Sequence, residues 1–277
     1  MNEYTGITAL VTGASKGLGT AYALELARRG ANLVLVARSS DALERLATRI
    51  REAHGVRVEV IAADLGDRTG PSRVAEELRA RAIDVDLLLN NAGLGSVGPF
   101  LDRPFEQQAL SVDVNITGLL ALTHLLGQGM RARRRGGIIN VASTAAFQPM
   151  PYQAGYAATK AFVLSFSEAL AEELSGSGIR VMAAHPGPVD TGFFDGTTAT
   201  MDPRTTDTPE AVAAGTLDDF ASGKHASYPG RASNRRKTWG ARFLPRRRVA
   251  TITARITRKA GFDRVSDVVA PNSEVTA

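Results

Sequence analysis

No cysteine occurs among the 277 residues, which excludes disulfide cross-links and any thiol chemistry and is compatible with a reducing compartment. The four histidines are scattered without a second ligand at metal spacing, so no zinc site is expected. No apolar run approaches the ~20 residues that a bilayer-spanning helix needs. Met1 to Gly6 reaches the first strand too soon to hold a secretory leader. The expectation is a soluble, cytoplasmic protein. Nor is there an internal repeat beyond an alternation of strands and helices.

What the chain does contain begins with an apolar run, Ile7 to Val11, followed by Thr12-Gly13-Ala14-Ser15-Lys16-Gly17-Leu18-Gly19 and a helical stretch from Leu18 to Arg29. A strand, a glycine-rich turn and a helix start make a phosphate-binding unit. The glycines let the backbone approach closely, and the helix N-terminus offers free N–H groups to a pyrophosphate. The spacing Gly-x-x-x-Gly-x-Gly departs from the commoner Gly-x-Gly-x-x-Gly. A second strand, Asn32 to Ala37, ends at Arg38 with no carboxylate beside it. An acidic residue there would accept from the ribose of NAD, whereas an arginine pairs with the 2′-phosphate of NADP. Lys16 could reach the same phosphate. NADP(H) is therefore expected over NAD(H).

Tyr156 and Lys160 stand one helical turn apart, and Ser143 precedes the tyrosine by thirteen residues. This trio can move a proton to or from a carbonyl oxygen. A phenol ionises near pH 10, and an ammonium at i+4 is expected to lower that value. A serine hydroxyl can hold the substrate oxygen beside the phenol.

With these residues in place, the chain resembles the short-chain dehydrogenase/reductase family from Ile7 to about Thr191. The motifs are Thr12-Gly13-x-x-x-Gly17-x-Gly19, Asp64-Leu65, Asn90-Asn91-Ala92-Gly93, Asn115, Ser143, Tyr156-x-x-x-Lys160 and Pro186-Gly187-x-x-x-Thr191. The resemblance implies that Tyr156 is the general acid/base and Ser143 orients the carbonyl. It implies that Lys160 binds the nicotinamide ribose and Asn115 holds a proton-relaying water. Cofactor contacts would come from Gly13, Ser15, Lys16, Gly17, Leu18 and Gly19, from Arg38, and from Asp64 at the adenine with Leu65. Asn91, Ala92 and Gly93 would wall the adenosine ribose. Pro186, Gly187, Val189 and Thr191 would close over the nicotinamide carboxamide.

Strand candidates are Ile7–Val11, Asn32–Ala37, Arg57–Ala62, Asp86–Leu89, Gly137–Ala142 and Arg180–Ala184, several of them continuous apolar runs. Helices are expected over Asp41–His54, Pro71–Arg81, Phe105–Met130 and Tyr152–Leu174, with Asp41 and Thr208-Pro209 as helix starts. The alternation predicts one α/β domain over residues 1–230, a doubly wound parallel sheet (Rossmann fold) with helices on both faces. A basic amphipathic extension over 231–277 follows, expected to fray over its last residues, 270–277.

That extension holds the charge. Arg231 to Arg264 contains twelve Lys/Arg and a single acid, Asp263, within a chain of net charge +5. The rest is therefore net acidic. Trp239, Phe243 and Leu244 cluster before Pro245, and Val249, Ile252 and Ile256 recur at i, i+3 and i+7 after it. Two basic amphipathic helices suit an anionic membrane surface, here the inner face. Alternatively the apolar stripe packs on the domain or a second subunit while the arginines face water. Nucleic acid is not expected, since aromatics for stacking are scarce and no binding motif occurs.

Phe193, Phe194, Met201 and Phe220 follow Pro188, Phe147 to Tyr152 follow the active serine, and Leu94, Val97 and Phe100 follow the Asn-Asn-Ala-Gly turn. Such a pocket favours a lipophilic ketone or aldehyde, with Ser143, Tyr156, Tyr152 and Phe193 as substrate contacts. Tyr152 is placed one turn before Tyr156 on the same helix. The expected function is NADPH-dependent carbonyl reduction, with a non-catalytic NADP-binding sensor or scaffold as the alternative. The resemblance also implies a homodimer or homotetramer paired through the two long helices.

Overall fold

The computed structural model describes residues 4–193, 197–199 and 203–266. Phe194, Met201 and the chain end expected to fray lie outside the described residues.

Six central strands, β1 (Thr8–Thr12), β2 (Asn32–Ala37), β3 (Val58–Ala62), β4 (Leu87–Asn90), β5 (Gly136–Val141) and β6 (Ile179–Ala184), match the expected runs within a residue or two. A two-residue strand, β7 (Ala226–Ser227), was not expected. It adds to the edge by pairing Ala226 with Ala183 and Ser227 with Ala184. All pairings are parallel, in the order β3-β2-β1-β4-β5-β6-β7. The direction of winding therefore reverses between β1 and β4, and a crevice opens there at the strands' C-terminal ends.

Alternate side chains explain why both sheet faces need cover. Val11, Leu33, Leu35 and Leu87 pack on one face with Leu26 of α1 (Gly17–Arg28), Ile50 of α2 (Ser40–His54) and Leu217 of α7 (Pro209–Ala221). Their sequence neighbours Leu10, Val34, Val36 and Leu88 pack on the other face, against Val74 of α3 (Gly70–Ala80) and Leu122 of α5 (Leu119–Arg133). On that face Leu170 of α6 (Ala154–Glu173) packs as well. Each fully buried Leu, Ile or Val contributes roughly 1.5–3 kcal/mol.

Three local expectations are corrected. Ser39, not Asp41, caps α2 by accepting from the Ala42 amide at 3.4 Å, and Asp41 sits in the first turn facing the helix dipole. Thr208 does cap α7, accepting from Ala211. The helix expected over Phe105–Met130 is α4 (Phe105–Val112), a π-turn over Asp113–Gly118, and α5. By length and composition Phe105–Arg133 is apolar enough to cross a membrane, but Leu122 and Met130 are buried against the sheet. Finally, α6 begins at Ala154, because Tyr152 adopts a left-handed φ of 68°. Tyr152 is therefore not on the helix that carries Tyr156.

The basic extension forms α8 (Ala232–Phe243) and α9 (Arg246–Lys259), separated by Pro245. Asn234 of α8 donates to Asp207 at 3.0 Å, and Arg231 pairs with the same carboxylate. Thr238 is buried as well. On α9 the buried positions are Val249, Thr253 and Thr257. The stripe of Val249, Ile252 and Ile256 does not pack as a unit on the domain.

Candidate active site

The glycine turn leaves β1 at the switch point. Gly13 takes a φ of 66°, and a β-carbon on Gly19 would lie 2.1 Å from the Gly13 carbonyl oxygen. Only glycines close this loop so tightly. Thr12 locks it to the next wall, since its hydroxyl accepts from the amides of Asn91 and Ala92, both at 2.9 Å. Asn91 returns a bond from Nδ2 to the Thr12 carbonyl at 3.0 Å. Behind this wall Asn90 donates to Asn140 and Thr123, and Asn140 donates to Ser167, all buried. Asn140 and Ser167, and the bonds that Thr12 makes to Asn91 and Ala92, escaped sequence reasoning because the partners lie far along the chain.

Lys16, in the glycine turn, and Arg38, at the end of β2, are both exposed. Asp64 accepts from the Gly66 amide at 2.9 Å, leaving its second oxygen outside that bond. Leu65 is buried in the face that α3 covers. Thr191 packs against the glycine turn, since a β-carbon on Gly17 would lie 3.0 Å from the Thr191 Cβ. Val189 bridges to Asp207, and the Pro186 carbonyl accepts from the Thr144 amide at 3.0 Å. The two sides of the crevice are thus fixed to the core.

At its inner end the structure brings Ser143, Tyr156, Lys160 and Asn115 together. Ser143 follows β5, accepts from the Ala145 amide at 3.1 Å, and lies near enough to the Tyr156 phenol to oppose the rise of its pKa. Burial pushes that phenol up to about 12, against the smaller opposing effect of Ser143. Burial also pushes Lys160 down to about 8. Its Nζ donates to the Val141 carbonyl at 2.7 Å and lies 5.8 Å from the Tyr156 ring centre. The ammonium at i+4 was expected to lower the phenol, but here desolvation dominates and the opposing effect comes from Ser143.

Asn115 sits in the π-turn, whose i→i+5 bonding widens the helix. Its side chain accepts from the Leu94 amide and donates to the Leu94 carbonyl, both at 2.8 Å, and donates to Thr159 at 2.9 Å. The side-chain amide is a clamp on the loop after β4. A β-carbon on Gly93 would fall 3.3 Å from Asn115 Oδ1 and 3.4 Å from Lys160 Nζ, so the loop passes directly over both.

Phe193 caps the group, its ring 5.3 Å from that of Tyr156. Gly95 leaves it room, since a β-carbon there would come within 2.2 Å of the ring. Two further residues expected around the pocket, Tyr152 and Phe220, make other contacts. Tyr152 accepts a 2.7 Å bond from Arg258 of α9 and packs near Val97, Phe262 and Val265. Phe220 is buried on α7 beneath Gly137 and Arg180. Residues that sequence reasoning missed are Thr159, Gly95 and Asn234. Asn234 fills the space where a Gly187 side chain would stand.

A phosphate cradle at the switch point, with a proton donor in the same crevice, is the equipment of a dinucleotide-dependent oxidoreductase. The family model described as short chain dehydrogenase matches residues 7–202, and the chain belongs to that family. It is 35% identical over 218 residues to a very-long-chain 3-oxoacyl-CoA reductase of Anas platyrhynchos, covering 76% of this chain and 69% of that protein. With the 17-beta-hydroxysteroid dehydrogenase type 3 of Homo sapiens it shares 37% identity over 191 residues, covering 68% of this chain and 61% of the relative. Among solved structures, a short-chain dehydrogenase from Sphingobium yanoikuyae in complex with NADPH superposes with a TM-score of 0.76 at 34% identity. That match covers 85% of this chain and 93% of the other. A bulky-bulky ketone specific alcohol dehydrogenase from Comamonas testosteroni gives 0.74 at 33%, covering 85% and 92%.

Proposed function

We propose that this chain is an NADPH-dependent reductase of a lipophilic ketone or aldehyde. The observation that carries the reading is the grouping of buried Ser143 and Lys160 with half-buried Tyr156 beside the Phe193 ring. The glycine turn, the Asn91–Gly93 wall and exposed Lys16 and Arg38 fit an NADP(H) molecule in the crevice. When bound, that cofactor supplies the hydride. Tyr156 donates the proton that the developing alkoxide requires, and its raised pKa keeps it in the donor form at neutral pH. Ser143 holds the carbonyl oxygen beside the phenol. Lys160, buried with a Val141 carbonyl on one N–H, keeps further N–H groups for ribose hydroxyls. Asn115 fixes the loop that closes over Lys160, and Phe193 with Gly95 makes the apolar lid.

Related proteins support a large apolar substrate, since the relatives named above carry 3-oxoacyl, steroid and bulky-ketone names. The groove of about 520 Å³ between α5 and α6, lined by Leu120, His124, Phe166 and Leu170 among others, supports pairing of two copies along these helices. The test is a panel of fatty-acyl, steroid and aryl ketones with NADPH, read by the loss of reduced-nicotinamide absorbance. Tyr156→Phe is expected to lower turnover at least 10³-fold while keeping NADPH affinity. Activity retained in that variant would sink the mechanism, and a panel without turnover would favour the sensor reading.

A further inference from the structure

The two C-terminal helices are amphipathic in an inverted sense. A helix on a soluble domain turns its large apolar side chains inward, yet α8 buries Asn234 and Thr238, and α9 buries Thr253 and Thr257 with Val249. Local bonds make those polar residues tolerable inside. Thr238 donates to the Arg235 carbonyl, Thr253 to that of Val249, Thr257 to that of Thr253, and Asn234 is held by Asp207. The large apolar groups face outward instead. Trp239 is 55% exposed, Phe243 80%, Ile252 45% and Ile256 63%.

Around them stand the cations. Arg247, Arg248 and Arg255 line a shallow depression of about 500 Å³ together with Pro245, Thr251 and Ile252. On a 100° helical projection Arg248, Arg255 and Lys259 flank the Ile252–Ile256 stripe on the side away from the buried threonines. Arg231 to Arg264 holds twelve bases against one acid. A second copy of the same face would meet like charge with like, which disfavours self-association through it.

We infer that α8 and α9 form a docking surface for an anionic lipid bilayer, with Trp239, Phe243, Ile252 and Ile256 entering the interface. The arginines would bind lipid phosphates, each basic residue near the surface contributing about 1 kcal/mol. Indole and phenyl rings suit the boundary between headgroups and acyl chains. The surface also adjoins the reaction site. Arg258 of α9 holds the Tyr152 hydroxyl at 2.7 Å, and α8 packs against residues 144–147, directly after Ser143. Docking would therefore bring the crevice to the lipid in which an apolar ketone dissolves. This second clause rests on the reductase reading; the first does not.

Trp239 is the only tryptophan in the chain, so its fluorescence reports on this surface alone. The full-length protein is mixed with phosphatidylcholine vesicles, with and without phosphatidylglycerol. The expected result is co-flotation and a blue-shifted emission with the anionic vesicles only, weakening as salt is raised. Arg247→Glu, Arg248→Glu and Arg255→Glu together should abolish flotation. Ile252→Ser with Ile256→Ser should leave low-salt attraction but reduce the retained fraction several-fold at higher salt. No flotation with anionic vesicles at low salt overturns the proposal. Equal binding to neutral vesicles, or binding to duplex DNA without any vesicle binding, overturns it as well. For the second clause, anionic vesicles loaded with a ketone turned over in the panel should lower its apparent KM for the parent. They should not do so for the triple charge reversal, whose turnover of a water-soluble ketone should stay unchanged. If vesicles bind but KM does not move, docking stands and delivery from the bilayer falls.

Discussion

Lys160 directs its ammonium to the Val141 carbonyl, 2.7 Å away, while the centre of the Tyr156 ring stands 5.8 Å from the same nitrogen. One side chain is thus tied to the end of β5 and placed under the loop carrying Gly93. Its burial disfavours the charged form, and that has a consequence for stability without any cofactor.

In the folded protein Lys160 titrates at about 8, against 10.5 when free. Between those values the unfolded chain holds a proton that the folded chain has released, so stability rises with pH across that window. Below pH 8 the lysine is charged in both states, so the cost of burying the ammonium is present in full and no longer changes with pH. Nucleotide-free parent and Lys160→Met should therefore diverge from pH 8 to 10.5. The parent should gain up to roughly 1 kcal/mol per pH unit relative to the variant. Urea midpoints measured at several pH values check this, and parallel curves would refute the assignment.

Arg38 should decide between the two dinucleotides. A charge-assisted bond to a phosphate contributes about 1.5–3 kcal/mol, and tenfold in affinity is about 1.4 kcal/mol. Arg38→Glu is therefore expected to raise the KM for NADPH about 10- to 100-fold while NADH improves. Steady-state kinetics with both cofactors at fixed ketone measure it. An unchanged NADPH preference would move the discrimination to Lys16.

Asn115→Ala would remove the acceptor of the Leu94 amide and a donor to its carbonyl in one change. Leaving buried backbone groups unpaired costs about 1–3 kcal/mol each, so chemical denaturation should show a loss of about 2–4 kcal/mol. Asn115→Asp keeps the acceptor and should recover part of it. If the alanine variant matched the parent in stability, Asn115 would not be a clamp.

Legibility followed distance along the chain. Ile7–Val11 and Asn32–Ala37 could be read directly, because a strand buried on both faces must be apolar throughout. The turn from Gly13 to Gly19 and the Tyr156–Lys160 pair were legible because their chemistry lies within one loop or one helical turn. Tyr152 misled because helical spacing was extended backwards through Gln153, whereas its left-handed φ turns the side chain towards Arg258. The outer face of α9 was legible only as a choice between packing and an outward-facing stripe. Val249, Ile252 and Ile256 have the right period, yet threonines that bond to their own helix can be buried just as cheaply. No local pattern announces that choice.

The pairing of Gly187 with Asn234 was equally hidden, lying across 47 residues, and it links the loop after β6 to α8. A β-carbon on Gly187 would fall 2.4 Å from Asn234 Nδ2, and that amide is already bonded to Asp207. Gly187→Ala must therefore push α8 outward or break the Asn234–Asp207 bond. A buried overpacking of this kind costs typically 1–3 kcal/mol. Asn234→Ala alone forfeits the bond but opens the space. The double variant should then lose clearly less stability than the two single losses added together, because the clash disappears with the amide. Melting curves of the four proteins close the cycle. Strict additivity would mean that the two side chains do not compete for one volume, and that α8 is held at some other point.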